Sequence, residues 1–215
     1  MKIDPAQVLW SAPEAERAGR PLLVMLHGHG SNEQVGFDFR RFLPPELVIA
    51  SVRAPLQAGS GYAWFALDAT LAVSQIDAVS QGVLEWLDAQ PPAPSVGILG
   101  FSQGAATGLQ TMRMAPERFD YAVVLSGFVI PGAVAGDGAL SRSRPPVFWG
   151  RGDRDPIIPS FLIPLTRAWL TGHSTLTERV YPGLGHHVAP HELTELAAFL
   201  ADQLTQPRTP AARDR

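Results

Sequence analysis

With 215 residues, 46% of them hydrophobic, the chain is long enough to bury one sizeable core without help from a metal or a cross-link. It has no cysteine, which excludes disulfides, zinc–thiolate sites, redox dithiols and a thiol nucleophile. A net charge of -3, with no basic run longer than Arg40-Arg41, offers no field for nucleic acid. The sequence has no signal-peptide start and no apolar run of about 18 residues, so a soluble, cytoplasmic protein without stable membrane insertion is expected.

In chain order, a weak strand is expected near Val8 to Trp10 and a strong one over Leu22 to Leu26, which runs into the turn His27-Gly28-His29-Gly30-Ser31. A second strong strand covers Val48 to Val52. Helical spacing of Ile76, Val79, Val83, Leu84 and Leu87 predicts a helix over Leu71 to Leu87, stopped by Pro91 and Pro92. Val96 to Leu99 reads as a strand that passes directly into a helix over Gln103 to Met114. Further strands are expected over Tyr121 to Leu125, Val147 to Trp149 and Leu176 to Tyr181, and a last helix over Leu193 to Leu204. Short Pro-rich segments around Ile130 to Pro146 and the stretch Ile157 to Leu165 are expected to shape an entrance. Short β-branched runs alternating with helical stretches define an α/β fold: a mostly parallel central sheet with helices on both faces. Residues 1–205 are expected to form a single domain and 206–215 a disordered tail.

The strongest chemical signal is Gly100-Phe101-Ser102-Gln103-Gly104, which fits G-x-S-x-G between a strand and a helix. In that context the serine sits in a tight turn with its hydroxyl raised above the sheet, and the glycines let strand and helix backbones approach. A helix N-cap serine is the bland alternative. A serine hydroxyl needs a base, and the loop Gly183 to His191 before the last helix is where one should come from. His186, behind Gly183 and Gly185, is the leading candidate, with His187 its local rival. His191 reads as structural and His173 as a solvated surface residue.

The acid should lie between nucleophile and base at a strand end, and Gly152-Asp153-Arg154-Asp155-Pro156 supplies two aspartates there. Asp155, held extended by Pro156, is preferred as the group that orients the histidine. Asp153 reads as a turn-former bonding its own backbone or Arg154. Donors for a developing oxyanion are assigned to the backbone N–H groups of Gln103 and His29. His27 is expected to brace its turn. No acid or third histidine at ligand spacing accompanies His27 and His29, so no metal is expected there.

These blocks together resemble the phospholipase/carboxylesterase family: Leu26 to Glu33, Arg53-Ala54-Pro55, Gly61 to Phe65, Gly100 to Ala105, Gly152 to Pro159 and Tyr181 to His186 occur in the family's order from about Leu22 to Leu200. The resemblance implies an α/β-hydrolase fold with little or no cap and a serine esterase acting on a small-molecule ester or thioester, thioesters and lysophospholipids included. It carries the triad onto Ser102, Asp155 and His186 and the oxyanion donors onto His29 and Gln103, and it requires no cofactor. It also suggests that Tyr62, Trp64 and Phe65 line an acyl pocket, whereas the residues alone read equally well as core. His29 stands where the thioesterases commonly have leucine, a difference that bears on pocket shape. A homodimer is left open. The rival functions are a peptidase or amidase on the same fold and a binding module that has lost its chemistry.

Overall fold

The computed structural model describes residues 1–67 and 69–205, with the backbone alone for 69–73. The anticipated tail, 206–215, lies outside the described residues.

Nine strands and six α-helices succeed one another among these residues. Seven strands form one sheet: β1 (Leu9–Trp10), β2 (Leu22–Leu26), β3 (Val48–Val52), β6 (Val96–Phe101), β7 (Tyr121–Leu125), β8 (Pro146–Gly152) and β9 (Thr175–Tyr181), in the spatial order β1-β3-β2-β6-β7-β8-β9. Only β1 runs antiparallel, pairing Leu9 with Ser51 and Trp10 with Ala50. A separate antiparallel hairpin joins β4 (Leu56–Ala58) to β5 (Gly61–Ala63).

The central strands are buried on both faces, which is why they read as near-continuous apolar runs, with Ser51 the one polar residue in β3. Alternate residues serve two separate cores. Val24, Leu26, Val52, Ile98, Val124 and Trp149 join the helices α2 (Ala69–Asp88) and α3 (Gln103–Met114) on one face. Leu23, Met25, Leu99, Val123 and Phe148 join Leu193, Leu196, Phe199 and Leu200 of α6 (Pro190–Thr205) on the other. The remaining helices are α1 (Glu33–Asp38), α4 (Asp137–Ser143) and α5 (Leu162–His173). Helix α4 and the start of α5 fall inside the two stretches expected to shape an entrance.

The chain leaves β2 for β3 on one side and returns as β6 on the other, so the sheet order reverses between β2 and β6. A crevice opens at such a reversal, beyond the carboxyl ends of the strands. Ser102 follows β6 at that edge.

Candidate active site

Ser102 has φ 54° and ψ -118°, a left-handed conformation that costs a residue with a side chain energy and holds its hydroxyl clear of the sheet. Two bonds hold the turn from either side: Ser102 N–H donates to Leu125 O at 2.9 Å, and Ala106 N–H donates to Ser102 O at 3.1 Å. A Cβ on Gly100 would lie 2.4 Å from the backbone of Ala105. One on Gly104 would lie 2.2 Å from Leu26 O. Both glycines of the motif are therefore required by backbone contact, the first between strand and helix and the second between helix and β2.

The His186 imidazole joins two partners. Its Nδ1–H donates to Asp155 Oδ2 at 2.6 Å, which leaves Nε2 to accept the Ser102 hydroxyl at 2.8 Å. Asp155 and His186 keep only 8% and 15% of their side-chain exposure, so water competes little for these bonds. The other Asp155 oxygen accepts the N–H groups of Ile157 and Ile158, at 2.8 and 3.2 Å. The carboxylate is thus aimed by the backbone that follows it as well as by Pro156. Beneath the imidazole lies Phe101, its ring centroid 5.0 Å away.

Asp153, the rival acid, is exposed and serves the loop instead: its Oδ1 accepts the N–H of Gly183 at 2.6 Å, a bond the sequence reading had given to its own turn or to Arg154. Arg154 N–H donates to Leu184 O at 3.0 Å, and a Cβ on Gly152 would lie 2.0 Å from that same carbonyl. The acid turn and the histidine loop are stitched together, which fixes the distance between Asp155 and His186. His187 is exposed and makes neither bond. His191 lies edge-on to Tyr181. His173 corrects its expectation as a solvated residue: it ends α5 half-buried, stacked on Trp169 at 4.5 Å with Nδ1–H donating to Trp169 O.

The N–H groups of Gln103 and His29 have no protein acceptor among the described residues. Near them, His27 is buried, donates from Nδ1 to Gly28 O at 2.8 Å and accepts Ala54 N–H on Nε2 at 3.1 Å. Burial holds this imidazole below its ordinary value, so it braces the turn as a neutral group.

Trp64 and Phe65 are exposed by 0% and 5% and belong to the core on the α2 and α3 face of the sheet. The Gln103 side chain holds the backbone of both. Its Oε1 accepts Trp64 N–H at 2.9 Å and its Nε2 donates to Phe65 O at 2.7 Å, while Trp64 Nε1–H donates to His27 O at 2.7 Å. Tyr62 is half-buried beside the His29 turn, exchanging backbone bonds with Gly30 and Ser31. Among the described residues no group of three or more histidines and acids could hold a metal, and no helix is long and apolar enough to cross a membrane.

A mostly parallel sheet with a strained serine turn at its reversal point and a hydrogen-bonded serine, histidine and aspartate beyond it defines an α/β-hydrolase architecture. Residues 12–204 match the phospholipase/carboxylesterase family, and the chain belongs to it. Among curated relatives, acyl-protein thioesterase 1 of Saccharomyces cerevisiae is 30% identical over 137 residues, covering 62% of this chain and 60% of that protein. The chain therefore spans less than two thirds of that relative. Among solved structures, esterase PE8 superposes with a TM-score of 0.75 at 25% identity, covering 94% of this chain and 99% of that one. Acyl-protein thioesterase 2 of Zea mays superposes with a TM-score of 0.75 over 92% and 98% of the two chains; at 23% identity it supports the fold.

Proposed function

We propose that this protein hydrolyses carboxylic esters or thioesters through an acyl-enzyme, with Ser102 as nucleophile, His186 as base and Asp155 as the acid that orients it. The observation that carries this reading is the unbroken chain of bonds from Asp155 through His186 to Ser102, at 2.6 and 2.8 Å. His186 Nε2 takes the hydroxyl proton as Ser102 Oγ attacks the carbonyl carbon, and the C=O electron pair moves onto oxygen. The N–H groups of Gln103 and His29 receive that charge. Collapse expels the alcohol or thiol, which leaves with the proton from His186. Water, deprotonated by the same imidazole, then adds to the acyl-enzyme and releases the acid and Ser102. The proton that water gives His186 passes to Ser102 and replaces the one that left with the alcohol or thiol, so the cycle needs no cofactor. Two relatives whose names specify thioesterase or esterase support an ester or thioester as substrate.

The test is Ser102→Ala with fluorophosphonate labelling of the parent chain. Activity on a short nitrophenyl ester should fall by a factor on the order of a million, and peptide mapping should place the phosphonate on Ser102. Undiminished hydrolysis in the variant would overturn the assignment.

A further inference from the structure

The His29 N–H rests on a turn, residues 28–31, that belongs to no helix or strand. Such a donor stabilises developing charge only if it is already aimed when the charge appears, so whatever fixes the turn acts on the reaction. Three groups fix it. Upstream, the neutral His27 ring ties Gly28 to Ala54. In the middle, Gly30 N–H donates to Tyr62 O at 2.8 Å and Tyr62 N–H donates to Ser31 O at 2.7 Å, across a gap so narrow that a Cβ on Gly61 would sit 2.1 Å from Gly30 O. Downstream, Glu33 opens α1 with its carboxylate buried.

Arg53 connects the last two. Its Nε–H donates to Glu33 Oε2 at 2.7 Å and an Nη2–H donates to the other oxygen, while Nη1–H donates to the Tyr62 hydroxyl at 3.2 Å. The guanidinium also lies over the Tyr62 ring, 4.6 Å from its centroid. Burial works against the Glu33 charge, yet the hydrogen bonds from Arg53 hold its carboxyl below the usual range, so the pair is charged. Among the described residues Arg53 makes no bond to Ser102, His186 or Asp155.

We propose that Arg53 is a positioning residue for the oxyanion turn. It clamps Glu33 at one end of the turn and Tyr62 along its side, and through them sets where the His29 N–H points. The role uses the planar fork, which reaches a carboxylate through two bonds and stacks on a ring at once; an ammonium has neither the coplanar donor pair nor the flat face. This inference rests on the ester-hydrolysis reading above, in which the His29 N–H receives the oxyanion.

The experiment compares the full chain with Arg53→Lys and with the double variant Glu33→Gln/Arg53→Met, well below their unfolding temperatures. Lysine keeps a charge opposite Glu33 but loses the fork. The double variant buries no lone charge, so it keeps the comparison readable even where Arg53→Lys fails to fold. In each, kcat on a short nitrophenyl ester should fall by about tenfold or more while KM changes by less than about threefold. Affinity for an alkyl trifluoromethyl ketone, which forms an oxyanionic adduct with the serine, should weaken by the same factor as kcat/KM. A wild-type kcat and ketone affinity in both variants, or a rise in KM alone, would overturn the proposal. Failure of the underlying reading looks different: ester hydrolysis would then survive Ser102→Ala.

Discussion

The side-chain amide of Gln103 holds the backbone of Trp64, accepting its N–H at 2.9 Å from a residue 39 positions away. The same amide donates to Phe65 O, so one side chain next to the serine fastens the segment that follows the β4–β5 hairpin. Both partners are buried. Replacing Gln103 by Ala strands one donor and one acceptor away from water, each costing roughly 1–3 kcal/mol. Urea unfolding of Gln103→Ala should show a loss on the order of 3 kcal/mol with an unchanged slope, and a midpoint equal to the parent's would refute the clamp.

Asp155 should be separable from the fold. Asparagine at this position still accepts the N–H groups of Ile157 and Ile158 through its carbonyl oxygen, but it turns an amide toward His186 Nδ1 and favours the wrong tautomer. In a serine protease the equivalent exchange lowers kcat by about ten-thousandfold with the geometry intact. Asp155→Asn should lose activity by a factor of that order while its circular dichroism spectrum and melting temperature stay near those of the parent. Retention of more than about a tenth of kcat would shift the role to another acid, with Asp153→Asn as the comparison.

Glu192 gives a pH signature of its own. It is 1% exposed, with one oxygen accepting Ala189 N–H at 3.3 Å and the other without a hydrogen-bond partner among the described residues. Burial, opposed by the Ala189 bond and helped by the charge of Glu195, raises its carboxyl to about 7. The folded state therefore holds the proton more tightly than the unfolded chain. Its contribution to stability is complete below the ordinary glutamate value of about 4.3 and is lost as pH rises toward 7, by an amount on the order of 2–3 kcal/mol. Glu192→Gln removes the titration at constant volume. Urea midpoints for parent and variant should coincide near pH 4 and separate in favour of the variant by pH 8; a constant difference across that range would show that Glu192 does not titrate there.

What the sequence disclosed follows from how each feature is encoded. The strands over Leu22 to Leu26, Val48 to Val52 and Tyr121 to Leu125 were legible to the residue because burial on both faces favours a near-continuous apolar run. The serine motif was legible because its glycines are demanded by backbone contacts four residues apart. By contrast, β4 and β5 are three residues each, too short to establish a period. Asp155 could be preferred over Asp153 from Pro156, but the bond from Gly183 that engages Asp153 joins positions 30 apart and left no local mark. Trp64 was ambiguous for the same reason. A large aromatic near a motif reads as pocket or core, and the bond from its N–H to the Gln103 amide, 39 positions away, left no local mark. The Glu33–Arg53 pair, separated by 20 positions, was likewise unreadable as a pair.

The contacts that confine Ser102 run largely between backbones, and a Cβ on Gly28 would lie 2.9 Å from the Phe101 ring beneath His186. Backbone contacts of this kind do not depend on the exposed side chains around them. The exposed residues near the crevice, His29, Arg154 and His187 among them, can therefore change identity over evolutionary time without disturbing the serine turn. In such a scaffold substrate range drifts while the reacting atoms stay in place, and saturation of positions 29, 154 and 187 is a rational library for redirecting it.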